Sequence, residues 1–386
     1  MIRDQKNTDA FLQRLRRFVD ERCIPNEALV DGKNDIPADL LDDMRELMLF
    51  GYTIPEAFGG LGFTTEEMVL AAFELSRCTA AFRARCGTNT GIGSEGLVQD
   101  GTEEQKAKYL PRLARGEIIG AFALTEPDFG SDAASLVTSA KPDGNDYIIN
   151  GSKCFITNAP IAGVFTVMAR TDPNHRGAGG VSAFIVEAGA PGLAIGPPYV
   201  KMGQSGSPVS EVFFDNCRVP AGNIIGGKPG MGFKTAMKVL NKQRLHLAAL
   251  CVGPAMRLLE EMLRHANARK QFGQAIGEFQ LVQAMIADSH TEIAAARAMV
   301  LDAARKRDDG VDVTLEASMC KYFASEMVGR VADRAVQVFG GAGYTAAAGI
   351  ERFYRDVRLF RLYEGTSQIH QLNIAKLMLR NVGEAA

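Results

Sequence analysis

The spacing of apolar residues changes twice along this chain, and that change constrains its fold more than any other feature. From residue 8 to about residue 118 the apolar residues recur at three and four positions, as in Phe11, Leu15 and Phe18, which predicts helices. Between about 121 and 225 the spacing becomes two within short runs rich in β-branched residues, which predicts strands. After Gly230 the helical spacing returns and continues nearly to the end.

This pattern predicts an α+β fold of three domains. They are an N-terminal helical domain (1–120), a central β-sheet or barrel-like domain (121–228) and a C-terminal helical bundle (229–386). The clearest boundary is the glycine-rich stretch 226–230. Within the central domain, the Asn150-Gly151 dipeptide is typical of a type I′ turn and predicts a β-hairpin at that point.

Composition excludes several classes of function. The chain has 386 residues, of which 46% are hydrophobic, and a net charge of -2, so we expect a globular protein that does not bind nucleic acid. Its seven cysteines form no C-x-x-C pair and indicate reduced thiols, and its five histidines lack zinc-ligand spacing, so no metal is predicted. The sequence shows neither a membrane span nor a secretory signal pattern. We therefore expect a cytoplasmic protein, or one whose presequence has been removed.

Three glycine-rich stretches resemble nucleotide-binding loops but lack their context. Residues 91–96 and 341–346 both spell the dinucleotide-binding pattern, yet neither follows a strand that opens a βαβ unit. Residues 227–232 approach a phosphate-binding loop, but Phe233 stands where the lysine is required. We interpret 341–346 as a turn at a helix C-terminus and 227–232 as a linker.

Two segments of the central domain are candidates for binding a ligand. The loop 124–132 enters the β region through a proline and glycine turn rich in hydroxyl groups and backbone donors, which suits a flat polar heterocycle. Phe155 and Thr157 are two apart on an extended run, so both side chains should point to one face of the sheet. A purely structural turn and an ordinary sheet core explain these two patterns equally well.

A third candidate segment surrounds Glu364. Gly365 interrupts the helical period and Thr366 is a good N-cap, so Glu364 should lie at a junction of two helices rather than on a solvated face. Arg244 falls on an apolar helical stripe, where a charged side chain needs a partner or a pocket. A buried ion pair explains these residues as well as a catalytic site does.

Taken together, these segments resemble the acyl-CoA dehydrogenase family, in the family's order and over essentially the whole chain. The matching segments are LTEPDFGSD (124–132), INGSKCFITN (149–158), ARKQF (268–272), QVFGGAGY (337–344) and YEGTSQIHQLNIAK (363–376). Several motifs at matching spacing are far more specific than any one of them. The resemblance implies the fold of that family, with the three domains given above.

The resemblance also implies FAD as the cofactor. The family's flavin contacts match residues in the first, second and last of these segments and just before the first, namely Phe122, Leu124, Thr125, Gly130, Ser131, Phe155, Thr157, Thr366 and Gln368. The family's adenine and pyrophosphate contacts match residues in and around the third and fourth segments, 268–272 and 337–344, namely Arg269, Gln271, Phe272, Gln280, Gln337, Gly340 and Gly341. Some relatives lend part of this second set from a neighbouring subunit, which implies a homo-oligomer, usually a tetramer. The family often has tryptophan where this chain has Phe155.

By the same resemblance, Glu364 is the catalytic base. It would remove the α-proton of an acyl-CoA thioester while flavin N5 takes the β-hydrogen as hydride, which gives the trans-2-enoyl-CoA. Some relatives carry the base one residue before the arginine that matches Arg244, but Gln243 stands there in this chain, which favours Glu364. An electron-transfer flavoprotein is the expected electron acceptor. Contacts to the substrate are expected from Ser131, Arg244, Tyr363 and Gly365.

Three other activities stay open. One is an acyl-CoA oxidase, although oxidases of this type commonly carry a further C-terminal domain. The second is a reductase that saturates an enoyl thioester with the same residues, and the third is a flavin- or CoA-binding assembly protein, against which the retained Glu364 and Arg244 argue. The acyl group itself is not predicted. For Glu95, near the helices that set pocket depth, a position lining the pocket stays open, but a surface carboxylate is expected.

Overall fold

The computed structural model describes residues 1–175 and 177–384 and confirms the predicted order of helices, sheet and helices. Two of the N-terminal helices begin at capping boxes, in which Thr64 pairs with Glu67 and Thr102 with Gln105. These reciprocal hydrogen bonds satisfy N–H groups that a helix start leaves unpaired. The N-terminal α-helices are α1 (Gln5–Phe18), α2 (Glu27–Lys33), α3 (Ala38–Glu46), α4 (Thr65–Leu75), α5 (Ala80–Gly87), α6 (Glu95–Asp100) and α7 (Glu103–Ala114).

The central region is a seven-stranded sheet that curls into a half-barrel. Its strands are β1 (Gly120–Ala123), β2 (Ser139–Asp143), β3 (Asp146–Thr157), β4 (Val164–Arg170), β5 (Val181–Glu187), β6 (Leu193–Ile195) and β7 (Val209–Pro220). β4 pairs in parallel with β1 and antiparallel with β5. β3 pairs antiparallel with both β2 and β7, and β7 pairs with β6. A hydrogen bond from the Cys154 N–H to the Thr125 carbonyl joins the loop after β1 to the C-terminal part of β3.

The predicted hairpin at Asn150-Gly151 is wrong. β3 continues through both residues, and the hairpin lies instead at residues 143–146. Gly151 has a φ of 147°, and the register with β7 shifts between Ile149 and Gly151, which marks a β-bulge. A Cβ atom at Gly151 would lie 2.6 Å from Thr138 Oγ1, so the close approach of β2 and its preceding loop requires glycine here.

The C-terminal region is built on the long helix α8. Its first part packs on the sheet, where Ala236 shares an apolar cluster with Phe122, and its middle packs among the other helices, where Leu247 belongs to the helical core. Arg244 lies between these two environments. In the described residues no helix has the length and apolar character to cross a membrane. The remaining elements are α8 (Gly232–Ala268), β8 (Lys270–Gln271), β9 (Gln274–Ala275), α9 (Gln280–Asp308), α10 (Thr314–Phe339), α11 (Gly341–Tyr344), α12 (Ile350–Val357) and α13 (Ser367–Glu384).

Candidate active site

Glu364 lies on the turn between the 3₁₀ segment Arg358–Arg361 and α13, which confirms the predicted junction. Its φ is 54° and that of Gly365 is 96°, so two consecutive residues are left-handed. A glutamate adopts this conformation only where its surroundings impose it. Thr366 caps α13, because its Oγ1 accepts a hydrogen bond from the Ile369 N–H at 3.3 Å.

One oxygen of the Glu364 carboxylate is withdrawn from water. The side chain is half-buried, and its Oε2 has no hydrogen-bond partner among the described residues. Burial raises the pKa of Glu364 to about 7, although the positive charges of Lys321, Arg244 and Arg83 oppose this rise. A carboxylate with a pKa near 7 is a stronger base than an ordinary glutamate and is still substantially ionised at neutral pH.

Arg244 contributes positive charge near this carboxylate without an ion pair. Its buried side chain donates from Nη1 to Asn241 Oδ1 at 2.8 Å, while its Nε has no partner in the described part of the chain. Burial lowers the pKa of Arg244, and the charge of Glu364 raises it. The two groups therefore interact through space, and the purely structural ion pair that the sequence left open does not form.

Tyr363, an expected substrate contact, has its hydroxyl group held by Arg83. The Arg83 Nη2 donates to the Tyr363 hydroxyl at 2.9 Å and to Gln204 Oε1 at 2.9 Å. The Arg83 guanidinium also lies 5.2 Å from the centre of the Phe360 ring and 5.9 Å from that of Tyr363. Burial raises the pKa of Tyr363, so its hydroxyl group stays protonated. Sequence reasoning missed Arg83 and Gln204, since neither belongs to a local motif.

β1 and the loop that follows it contain five of the nine residues expected to contact flavin. Phe122 and Leu124 are buried and Thr125 is half-buried, whereas Gly130 and Ser131 are exposed. The loop is tied to β3, because the Thr125 carbonyl accepts from the Cys154 N–H at 3.0 Å. The exposed end of the loop therefore offers backbone and hydroxyl donors to a ligand.

A buried ion pair between Glu126 and Lys153 anchors this loop, and sequence reasoning missed it. Lys153 Nζ donates to Glu126 Oε1 at 2.8 Å and to the Leu124 carbonyl at 3.1 Å. The Glu126 carboxylate also accepts from the N–H groups of Val137 and Thr138. Burial lowers the pKa of Lys153 to about 8, and the charge of Glu126 opposes this. The available signal was Lys153, the one charged residue of the segment 149–158.

Phe155 departs from the extended conformation that the sequence predicts. Its φ is 58°, next to a register shift between Lys153 and Ile156 in the pairing with β7. The ring is 66% exposed and lies 5.3 Å from the Tyr199 ring, at an angle of 35°. Thr157 is half-buried at the end of β3. An exposed aromatic ring beside a loop with free donors fits a flat heterocyclic cofactor.

The residues expected to contact adenine and pyrophosphate lie on the surface of the C-terminal bundle. The His265 and Phe339 rings stack at 4.1 Å, which brings the end of α8 close to the end of α10. No hydrogen bond or ion pair of the described residues joins this surface to Glu364 or to the loop after β1. All seven residues are exposed, namely Arg269, Gln271, Phe272, Gln280, Gln337, Gly340 and Gly341. Gln368, in the first turn of α13 after Glu364, is exposed as well.

The expectation that Glu95 is a surface carboxylate is wrong. Its side chain is 1% exposed and accepts from Lys242 Nζ at 2.9 Å and from Gln99 Nε2 at 2.7 Å. The reason is that α6 packs against α8, so the glutamate faces a lysine of that helix. On the same helix, Gln243 is buried with its Oε1 3.2 Å from His246 Nδ1, and no acid occupies this alternative base position.

Comparison with known proteins agrees with this fold and site. Three family models match consecutive parts of the chain: the acyl-CoA dehydrogenase N-terminal domain over residues 5–117, the middle domain over 121–217 and the C-terminal domain over 230–379. Fold and site thus define an oxidoreductase. The chain belongs to the acyl-CoA dehydrogenase family, as the sequence motifs predict.

Individual proteins of this family match the chain along nearly its full length. Acryloyl-CoA reductase (NADH) from Anaerotignum propionicum is 41% identical over 95% of this chain and 92% of its own. Butyryl-CoA dehydrogenase from Megasphaera elsdenii superposes with a TM-score of 0.93 at 34% identity, covering 98% of this chain and 100% of that one. A chain in the structure of the electron transferring flavoprotein of Acidaminococcus fermentans superposes with a TM-score of 0.94 at 37% identity, covering 98% and 100%.

Proposed function

We propose that this protein catalyses the FAD-dependent α,β-dehydrogenation of an acyl-CoA thioester to the trans-2-enoyl-CoA, with Glu364 as the base. The Glu364 carboxylate takes the α-proton, and the β-hydrogen leaves with its electron pair, so the Cα–Cβ single bond becomes a double bond. The observation that supports this most is the half-buried Glu364 carboxylate, which has an unpaired oxygen and a pKa of about 7. Its location beside Arg244 in a protein of this family adds further support.

The backbone around Glu364 supports a second role for this residue. The Glu364 N–H has no acceptor among the described backbone groups. We propose that it donates a hydrogen bond to the thioester oxygen, where negative charge develops as the α-proton leaves. Substrate contacts are proposed for Ser131, Arg244, Tyr363 and Gly365. The same residue would thus remove the proton and stabilise the charge that its removal creates.

FAD fits the residues present. Bound FAD supplies the hydride acceptor for the β-hydrogen. The donors of the loop after β1, the exposed ring of Phe155 and Thr157 would hold its isoalloxazine, with Thr366 and Gln368 nearby. The seven exposed residues around Arg269 and Gly340 would bind adenine and pyrophosphate, some of them to the cofactor of a neighbouring subunit, which is why we propose a homo-oligomer, a tetramer in the family's usual form.

A reductase activity is the second candidate, because a relative 41% identical to this chain is an acryloyl-CoA reductase. Running the reaction backward needs the same residues, with Glu364 returning a proton to Cα. The electron partner proposed for either direction is an electron-transfer flavoprotein, supported by the structural match to a chain of such an assembly. The seven buried, unpaired cysteines suit a reducing compartment such as the cytoplasm, where we propose the protein works.

The test is anaerobic bleaching of the flavin by a panel of acyl-CoA thioesters with straight, branched and aryl acyl groups. Bleaching by one class establishes dehydrogenation and identifies the acyl group. If no saturated thioester bleaches the flavin but an enoyl-CoA reoxidises the chemically reduced protein, the reductase function is correct instead. Failure of both reactions would refute the proposed function.

Glu364→Gln is the matched variant for this test. It keeps the size and polarity of the side chain but cannot accept the α-proton, so bleaching should slow by about 10²-fold or more while FAD stays bound. Lys306→Met on the exposed part of α9 serves as the control and should bleach like the wild type. A Glu364→Gln protein that bleaches at the wild-type rate would show that another group is the base.

A further inference from the structure

Two buried side chains, Lys321 and His370, lie behind the turn that carries Glu364. Lys321 belongs to α10 and His370 to α13, and both have 0% exposure. Lys321 Nζ donates to the Gly365 carbonyl at 2.6 Å. His370 Nε2 lies 3.2 Å from the Glu364 carbonyl oxygen. The two side chains therefore contact consecutive carbonyl groups of one turn.

These two carbonyl groups have no backbone partner in the described residues. The N–H groups around the turn bond elsewhere, since that of Tyr363 donates to the Leu359 carbonyl and that of His370 to the Thr366 carbonyl. A carbonyl group withdrawn from water without a donor destabilises the conformation that places it there. Lys321 and His370 supply the missing donors to a turn in which both residues have a positive φ.

His370 acts as a neutral, single donor. Burial lowers the pKa of His370 to about 3, and the charges of Arg244 and Lys321 contribute, so the ring is uncharged at neutral pH. A neutral ring has one N–H, and a carbonyl oxygen can only accept, so the proton lies on Nε2. Gly365 allows this approach, because a Cβ atom there would lie 3.0 Å from His370 Nε2.

Lys321 is a charged group in a place where a charge is costly. Burial lowers the pKa of Lys321, and the neighbouring Cys251 and Glu364 raise it. Its ammonium group is also the foremost charge that opposes the rise of the Glu364 pKa. Six titratable side chains from the elements packed around the turn lie near the Glu364 carboxylate. Three are cations, namely Lys321, Arg244 and Arg83. The other three are uncharged, namely Tyr363, His370 and Cys251.

We propose that Lys321 and His370 are positioning residues for Glu364. Their hydrogen bonds to the carbonyl oxygens of Gly365 and Glu364 stabilise the left-handed turn, and this turn directs the carboxylate and the N–H of Glu364 into the site. This inference rests on the proposed role of Glu364 as the base. Lys321 has a second effect that His370 lacks, since its charge favours the ionised form of the carboxylate. The two effects can be separated by mutation.

The experiment compares two variants at each position in the full-length, FAD-loaded protein. Lys321→Gln keeps an N–H donor without the charge, and Lys321→Met removes both. His370→Gln keeps a donor near the position of Nε2, and His370→Leu removes it. The readouts are the rate of flavin bleaching by the best acyl-CoA thioester as a function of pH, the KM for that thioester, the FAD content and the melting temperature.

We expect Lys321→Met and His370→Leu to lower the maximal bleaching rate by about 10²-fold, because a misplaced base loses its alignment with the α-proton. Lys321→Gln and His370→Gln should recover most of that rate. Both Lys321 variants should move the acid limb of the pH profile to higher pH, and the His370 variants should leave it in place. A merely structural role would lower the melting temperature or FAD content without lowering the maximal rate per bound FAD, and for Lys321 it would also leave the acid limb in place.

The outcomes separate this inference from the proposed function. If the wild type bleaches and Glu364→Gln does not, but the Lys321 and His370 variants keep the wild-type maximal rate and pH profile, the positioning role is refuted and the function stands. If Glu364→Gln bleaches like the wild type, Glu364 is not the base, and the premise of this inference is refuted although dehydrogenation itself stands. Should Lys321→Met or His370→Leu not fold, the Lys321→Gln pH profile decides, since an unmoved acid limb would refute the role of Lys321.

Discussion

At the scale of single residues, the site depends on a glutamate in an unfavourable state. Glu364 combines a φ of 54° with a carboxylate whose pKa burial raises to about 7. Both features destabilise the fold locally and both serve a base, since a desolvated carboxylate takes protons more readily. Such strain is typical of functional sites, where the surrounding structure imposes it.

The raised pKa of Glu364 predicts a pH-dependent effect of Glu364→Gln on stability. Because the pKa is about 7 when folded and 4.5 as a free group, the folded protein holds this proton more tightly. The wild type therefore loses stability as pH rises from about 4.5 to about 7. The glutamine variant lacks this loss. The melting temperature of the variant minus that of the wild type should therefore increase with pH over this range and stay constant above it.

Scanning calorimetry of the FAD-loaded proteins without substrate measures this margin. Glu103→Gln, on an exposed side of α7, makes the same chemical change away from the site and is the matched control. A margin for Glu364→Gln that is equal at both ends of the pH range would contradict the burial of an ionised Glu364.

At the scale of elements, the contact between β3 and the loop after β1 shapes the proposed flavin site. Although burial alone would raise the pKa of Glu126, the charge of Lys153 lowers it overall, so the pair is ionised inside the sheet domain. The pair closes the loop onto the strand just before Phe155 turns outward at its bulge. The position of the loop after β1 and the exposure of the Phe155 ring therefore depend on the same short segment of β3.

Lys153→Met is expected to destabilise the protein by about 3–5 kcal/mol, because it leaves a buried carboxylate without its cation. The FAD content should fall together with the stability, since Lys153 also donates a hydrogen bond to the Leu124 carbonyl at the start of the loop. Lys108→Met is the matched control: its ion pair with Glu187 is exposed, and its loss should cost about 0–1 kcal/mol. The melting temperature and the amount of bound flavin are measured for both variants. Equal losses of stability and flavin in the two variants would contradict the role of the Glu126–Lys153 pair in anchoring the loop.

The sequence predicts elements better than it predicts contacts between them. Apolar spacing located the helices and strands, and the break at Gly365 located the turn of Glu364, because these signals are local. Asn150-Gly151 was misassigned because a residue that tolerates unusual backbone angles serves a bulge as well as a turn, and the pairing partner decides. Lys321 and His370 gave no signal, since their acceptors are brought to them only by tertiary packing. The domain limits stay predictions.

At the scale of the whole molecule, the proposed assembly predicts a subunit contact at the exposed apolar surface near β8. Phe272 is 94% exposed with a φ of 53°, and Leu281 on α9 is 82% exposed. Large apolar side chains held in water are unfavourable, and several of them close together mark a contact surface. The residues expected to bind adenine share this surface, so cofactor binding and assembly should depend on each other.

Phe272→Asp tests this coupling. A buried aspartate would destabilise a subunit contact, so the variant should form a smaller species in light scattering and lose most of its FAD, while the subunit keeps its helical circular dichroism. Val311→Asp, which replaces a half-exposed apolar residue at the turn between α9 and α10, is the control and should change neither assembly nor flavin content. If Phe272→Asp keeps both its size and its FAD, Phe272 contributes to neither, and the proposed coupling at this surface is refuted. If it keeps its size but loses FAD, Phe272 contacts the cofactor without holding the assembly together.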